Sequence, residues 1–147
     1  MPRPSKTKNI HRIIDANINR AKEGLRVCEE ITRFILNNRN LTSDFKKIRH
    51  RIDALLNRLP LNIKLIRDRE SLKDAGRTIY AGELKRNNYQ DIFFANMQRA
   101  KESLRVLEEF AKLIDKTIAI EFKKLRYGIY ELEKTAAKKI SALYYRR

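Results

Sequence analysis

Two pairs of residues, Asn17 with Arg20 and Asn96 with Arg99, share the spacing Asn-x-x-Arg. Both lie in stretches whose apolar residues recur at three- and four-residue steps, the mark of an amphipathic helix. An amide and a guanidinium one helical turn apart can hold phosphoryl oxygens. The guanidinium offers a planar fork of N–H donors, and the amide adds donors and an acceptor. Two further arginines, Arg49 and Arg126, end the matched segments FKKIR (45–49) and FKKLR (122–126). On a wheel of ~100° per residue with Asn17 as origin, Cys28, Ala21, Leu25, Gly24, Ile35 and Ile14 fall within roughly 80° of it. Asn17 therefore occupies the middle of the apolar stripe, Asn96 the equivalent place, and Arg20 and Arg99 the flank. With Phe45 as origin, Arg49 falls at about 40°, between Ile52, Leu56 and Ile48, and Arg126 repeats the placement.

Inward polar groups admit two readings at this stage. A core Asn can fix helix register, and a core Arg can pair with a nearby Glu, with Glu23, Glu30, Glu102 and Glu109 on hand. Alternatively, up to four inward arginines are stabilised by an external anion, and phosphate is the anion that suits them. The other repeated charges, Lys22, Glu23, Arg26, Glu29 and Glu30 with their copies, read as a solvated outer face laced by helical ion pairs. Glu30 and Glu109 are the candidate partners for the arginines. Arg67, Asp68, Asp74, Gly76 and Arg77 form a second cluster, which suits either Mg²⁺ with nucleotide phosphates or an ordinary charged loop. His11 and His50 have no histidine partner, so no zinc site or histidine base is indicated. Cys28 aligns with Leu107 and reads as core. No GxxxxGK[ST] or GxGxxG motif is present.

The elements that position these groups come from an internal duplication. ANINRAKEGLRVCEEITRF (16–34) matches ANMQRAKESLRVLEEFAKL (95–113), and the FKK segments follow in the same order, with Ile52 and Leu55 paired to Ile129 and Leu132. The order is therefore helix A, helix B, a connector, helix A′ and helix B′. Asn37 to Asn40 is a short polar turn, which makes A and B antiparallel neighbours. Thr42 or Ser43 can cap helix B, with Asp44 in its first turn. Helix A′ is expected over about 89–114 and helix B′ over about 117–144. The predicted fold is all-α, a four-helix bundle of two duplicated helical hairpins with approximate twofold symmetry and a functional connector loop. Its divisions are a basic N-terminal tail (1–9) and one helical domain (10–147). The domain comprises hairpin 10–58, connector 59–88 and hairpin 89–147.

Composition bounds the function. Four Gly and three Pro argue against a turn-rich sandwich or barrel, and the apolar runs are too short for a membrane span. Met1 to Asn9 is basic with no apolar stretch behind it, unlike a secretory signal. The single cysteine fits a reducing cytoplasm. A formal net charge of +16 attracts polyanions without choosing among nucleic acid, lipid and nucleotide phosphates. A nucleic-acid module would carry an outward basic stripe with exposed aromatics. Here the repeated Arg and Asn point inward, which disfavours nucleic acid as partner; self-association stays open.

The segments RIIDANINRAKEGLRVCEEITRF (12–34), FKKIRHRIDALL (45–56), IRDRESLKDAGR (66–77), FFANMQRAKESLRVLEEFAKL (93–113) and FKKLRYGIYELEK (122–134) resemble a known family. It is the small monofunctional hydroxymethylpyrimidine phosphate kinase of thiamine biosynthesis, found alone or fused ahead of thiamine-phosphate synthase. No synthase segment follows, so the stand-alone form is expected. The family's connector reads Arg-Asp, a short spacer, then Asp-Val-Gly; here a longer spacer separates Arg67-Asp68 from Asp74-Ala75-Gly76. The resemblance implies ATP- and Mg²⁺-dependent conversion of 4-amino-5-hydroxymethyl-2-methylpyrimidine phosphate to its diphosphate. On that footing Arg20, Arg49, Arg99, Arg126 and Gly76 would hold phosphates, and Asn17 and Asn96 would orient the pyrimidine or phosphoryl oxygens. Arg67 and Asp68 would close over the site as its catalytic pair, with Asp68 and Asp74 reaching the metal. The alternatives are a basic helical nucleic-acid-binding module and a chorismate-mutase-like helical enzyme clamping a dianion.

Overall fold

The computed structural model describes the backbone of residues 4–59, 68–79 and 81–145, with side chains from residue 8 onward except at 81. Four helices carry it: α1 (Pro4–Glu30), α2 (Arg39–Arg58), α3 (Tyr89–Ala111) and α4 (Lys116–Tyr145). No strand occurs among the described residues, and among them no helix is long and apolar enough to cross a membrane. The helix begins at Pro4, so most of the stretch expected as a tail extends α1, and Met1 to Arg3 lie outside the described residues.

The helix boundaries have local causes. A π-helical turn, Ile31–Ile35, ends α1, with Thr32 Oγ1 donating back to the Glu29 carbonyl at 2.9 Å and lying 3.0 Å from Thr42 Oγ1. Asn37 then takes a φ of 50°, a left-handed conformation that Asn tolerates at a helix end. Asn38 rather than Thr42 or Ser43 caps α2, its side chain accepting from the Leu41 amide at 3.0 Å. Thr42 instead turns its hydroxyl onto the Asn38 carbonyl. Asn88 caps α3 through the Asp91 amide, and Asp115 caps α4 through Thr117 and Ile118. The connector is built from three short 3₁₀ turns: Ser71–Lys73, Ala75–Arg77 and Ala81–Leu84.

α1 and α3 form the central antiparallel pair, α2 packs on α1, α4 packs on α3, and α2 meets α4. The core is filled from equivalent positions of the two halves: Ala21 and Ala100, Leu25 and Leu104, Phe45 and Phe122, Ile52 and Ile129 are all fully buried. Cys28 is buried where Leu107 is in the other half. Burial first, then the field of Glu133, pushes its thiol well above the ordinary range, so it is inert packing. The α1/α3 pair crosses tightly at Gly24. A Cβ there would sit 2.7 Å from the Asn96 carbonyl oxygen, whereas a Cβ at Gly128 in α4 would meet nothing within 4 Å. Gly24 is thus demanded by backbone approach and Gly128 is not. Gly24→Ala should lower unfolding free energy by about 1–3 kcal/mol by overpacking the crossing. Gly128→Ala should raise it by about 0.5–1 kcal/mol through helix propensity. Urea unfolding of both variants checks the pair, and equal effects would contradict it.

Candidate functional site

Arg49 and Arg126 do not wait for an external anion. Arg49 gives Nε and Nη2 to the two oxygens of Glu29 at 2.9 and 3.1 Å, and Arg126 Nη2 reaches Glu108 Oε2 at 3.2 Å. Glu29 and Glu108 are 3% and 4% exposed, so the glutamates expected on the outer face are the buried ones. Glu30 and Glu109, expected as partners, pair instead with Arg26 and Arg105 on the surface. The reason is tertiary: α2 and α4 bring their arginines over the flank of α1 and α3 on which Glu29 and Glu108 lie. Burial pushes the Glu108 carboxyl up, but hydrogen bonding from Arg105 and the charge and hydrogen bond of Arg126 hold it below the usual range.

Asn17 and Asn96 also turn to their own helices. Each amide donates to the carbonyl one turn earlier, Ile13 and Ile92 respectively, at 2.8 Å. Asn17 is buried and Asn96 half-buried beside the Gly24 crossing. Neither Asn, and neither Arg49 nor Arg126, lines the cleft that the connector makes with the bundle.

That cleft, of about 520 Å³, depends on a three-residue strap. The Asp68 carboxyl lies 2.6 Å from His11 Nδ1 in a hydrogen bond, with His11 buried in α1. Arg69 grips Asp15 bidentately, both N–O distances being 2.8 Å. Glu70 bonds Lys8, which holds its carboxyl below the usual range, and approaches Arg12 at 3.8 Å. Asp68, expected as a catalytic and metal residue, meets His11 on α1 and is not among the residues lining the cleft; Arg67 lies outside the described residues.

From α1, Arg12, Asp15, Ala16, Asn19, Arg20 and Glu23 line the cleft at successive turns of one face; α3 adds Arg99, and the connector adds residues 69–71, Asp74, Gly76 and Arg77. The structure therefore brings together four sequence-predicted site residues: Arg20, Arg99, Asp74 and Gly76. Asp74 accepts from the Gly76 amide at 2.8 Å, a tight turn that presents the carboxylate to the cleft. Asp15 and Glu70 are neutralised within the strap. Arg20, half-buried, and Arg77 make no ion pair or hydrogen bond among the described residues. Among the described residues the ion-pair partner of Arg99 is Glu23, at 3.9 Å and with both side chains exposed, which is worth little. Three cations thus face the cleft without committed anions among the described residues. Among those residues, too, no three His, Cys, Asp or Glu side chains could hold a metal together. A Mg²⁺ here would have to ride on ligand phosphates with Asp74 as its protein carboxylate, which is how Mg²⁺ commonly binds. Sequence reasoning missed Arg12, Asp15, Asn19 and Arg69. Asp15 heads the Asp-Ala-Asn run, but its counterpart is Phe94, so comparing the two copies could not flag it.

Glu108→Ala should cost about 3 kcal/mol at neutral pH, because it strands Arg126. The carboxyl is held low in the folded state, so its contribution is complete above the unfolded glutamate value of about 4.3 and is lost as pH falls through the folded value. Unfolding at pH 7 and pH 3 should show the deficit shrinking in acid; a deficit independent of pH would contradict the buried ion pair.

A model of the ThiD2 family matches residues 12–135. The chain is 39% identical over 137 residues to a thiamine-phosphate synthase of Synechococcus sp. (strain CC9605), covering 91% of this chain and 38% of that protein. It is 42% identical over 125 residues to the thiamine-phosphate synthase of Synechocystis sp. (strain ATCC 27184 / PCC 6803 / Kazusa), covering 84% and 35%. Against that of Rhodopirellula baltica the figures are 36% over 127 residues, covering 86% and 34%. The chain spans a little over a third of the length of these curated relatives. No solved structure matches it.

Proposed function

The chain belongs to the ThiD2 family, and from that premise we propose that it acts in thiamine biosynthesis as a kinase. It transfers the γ-phosphoryl group of ATP to 4-amino-5-hydroxymethyl-2-methylpyrimidine phosphate. The observation that carries this reading is Arg20, a half-buried guanidinium with no partner among the described residues, facing a cleft that also holds Arg77 and Arg99. A guanidinium so placed, with no internal anion among the described residues, is free to take an anionic ligand.

The chemistry asks for what these residues supply. An oxygen of the acceptor phosphate attacks Pγ, the new P–O bond forms as the bond from Pγ to the β,γ-bridging oxygen breaks, and the electron pair leaves with ADP. The acceptor is already anionic near neutral pH, so no strong general base is needed. The obstacle is repulsion between two polyphosphate anions. Arg20 and Arg99 approach from facing helices and Arg77 from the connector, which holds both anions together and offsets the charge in the transition state. Mg²⁺, held by ATP with Asp74 as ligand, would neutralise the β- and γ-oxygens. Asp68 and Arg69 fix the connector so that Asp74 and Arg77 reach the cleft. On this reading Arg49 and Arg126 serve to join helix to helix and Asn17 and Asn96 bond within their own helices, so the phosphates fall to Arg20, Arg77 and Arg99.

Arg20→Ala should lower kcat/KM in a coupled ADP-release assay by about 100-fold or more, with the melting temperature unchanged or slightly raised. Arg49→Ala should chiefly lower the melting temperature. Near-parental turnover in Arg20→Ala would sink this site. A thermal-shift comparison tests the reaction class. Mg²⁺-ATP with the pyrimidine phosphate should stabilise the protein most, and a larger shift from chorismate or short duplex DNA would overturn the kinase reading.

A further inference from the structure

Asn19 lines the connector cleft and is half-buried there. Its Nδ2 donates to Asp15 Oδ1 at 3.3 Å. Asp15 also takes both arms of Arg69 and is itself buried. A carboxylate paired in this way can only accept, so the amide nitrogen of Asn19, and not its oxygen, must face it. The flip open to an isolated asparagine is closed to Asn19. What remains is its carbonyl oxygen and its second N–H, and neither has a partner among the described residues. A half-buried acceptor held in one orientation at the wall of a cleft is a seat for a donor from outside. The second half lacks this arrangement. Gln98, at the matching position of α3, is exposed, spends its amide on Glu102 and lies outside the cleft lining, and the counterpart of Asp15 is Phe94, which can fix no amide. The fixed acceptor therefore belongs to the half that the connector covers.

We propose that Asn19 reads the ring of the acceptor, its carbonyl oxygen accepting from the 4-amino group of the pyrimidine phosphate, with Asp15 as the positioning residue that locks the amide; the identity of the ligand rests on the kinase reading. In 4-amino-5-hydroxymethyl-2-methylpyrimidine phosphate the amino group and the phosphate arm hang from adjacent ring carbons. Asn19 and Arg20 are adjacent on α1 and both line the cleft, so an amino group on Asn19 leaves the phosphate within reach of Arg20. The ring nitrogen beside the amino-bearing carbon is an acceptor, which the second N–H of Asn19 can meet. This is the match of donor with acceptor by which an asparagine reads adenine. A 4-oxo analogue presents the opposite pattern, a carbonyl beside a ring N–H. A freely turning asparagine suits either ring. Asn19 suits the amino ring alone, because turning round would set its oxygen against Asp15.

The test is calorimetric titration of the full chain with the aminopyrimidine phosphate and with its 4-oxo analogue, in the absence of nucleotide, so that no turnover is needed. The parent should bind the amino compound about tenfold or more tighter. Asn19→Ala should bring the two affinities close to parity by weakening the amino compound alone. Asp15→Asn, which lets the amide turn, should shrink the ratio as well. Arg69→Ala unpins the same connector but leaves the Asn19 bond, and should weaken both compounds alike. Gln98→Ala, at the matching position of the second half, should keep the parental ratio. Asn19→Ala places a better helix former within α1, and melting curves verify that each variant folds. A parental ratio in Asn19→Ala overturns the proposal, as does a parent that binds neither compound or does not distinguish them; equal ratios in Asp15→Asn and Arg69→Ala overturn the locking role of Asp15. A parent that prefers the amino compound through Asn19 yet releases no ADP keeps this assignment and loses the kinase reading. One that releases ADP while Asn19→Ala keeps the parental ratio does the reverse.

Discussion

Two buried carboxylates, Glu29 and Glu108, determine what the inward arginines of this bundle can do. Each lies between the helices of one hairpin and takes an arginine from the second helix, Arg49 or Arg126. A cation so committed is structural: its charge is spent inside the protein, and removing either partner leaves an uncompensated charge behind. Other arginines, such as Arg69 on Asp15 and Arg51 on Glu121, are paired in turn, and the arginines left without a close carboxylate are the ones available to a ligand. Arg20 is the clearest case, carried on the same helix as Glu29 but turned toward the connector. The division of labour between holding the fold and binding follows from where an internal anion is provided.

Much of the architecture is legible in the sequence, because amphipathic periodicity and duplication are both long-range signals. The four helices, their order, the core positions and the inward location of Arg49 and Arg126 follow from spacing alone. What spacing cannot supply is which helix covers which flank. Glu29 sits about 120° from Asn17 on the wheel, at the margin of the apolar stripe, and only the packing of α2 decides that it is buried. The cap of α2 falls a few residues from its expected place for a similar reason. Asn38, Thr42 and Ser43 are all competent N-caps, and the π-turn before them sets which one is used.

The site is less legible than the fold, and the duplication itself is the cause. Looking for what both copies share picks out the symmetric parts: Asn17 with Asn96, whose amides bond within their own helices, and Arg49 with Arg126, which join one helix to the next. The cleft instead arises from what the copies do not share: Asp15 against Phe94, and a connector that exists once. Symmetry supplies the scaffold here, and its violations shape the cleft. Only Arg20 and Arg99 belong to both sets, since they lie beside the α1/α3 crossing where the halves face each other.

The strap at Asp68, Arg69 and Glu70 also changes the statistics of the chain that follows it. Without it, the chain between Leu59 and Tyr89 would close as one long loop. Pinned to α1 at three consecutive residues, it closes as two shorter ones, and the entropy of that second closure is spent in folding. Asp74 and Arg77 stand only a few residues beyond the pin. Part of the conformational freedom of this stretch has already been given up in folding, which would leave less to lose if an anion enters the cleft.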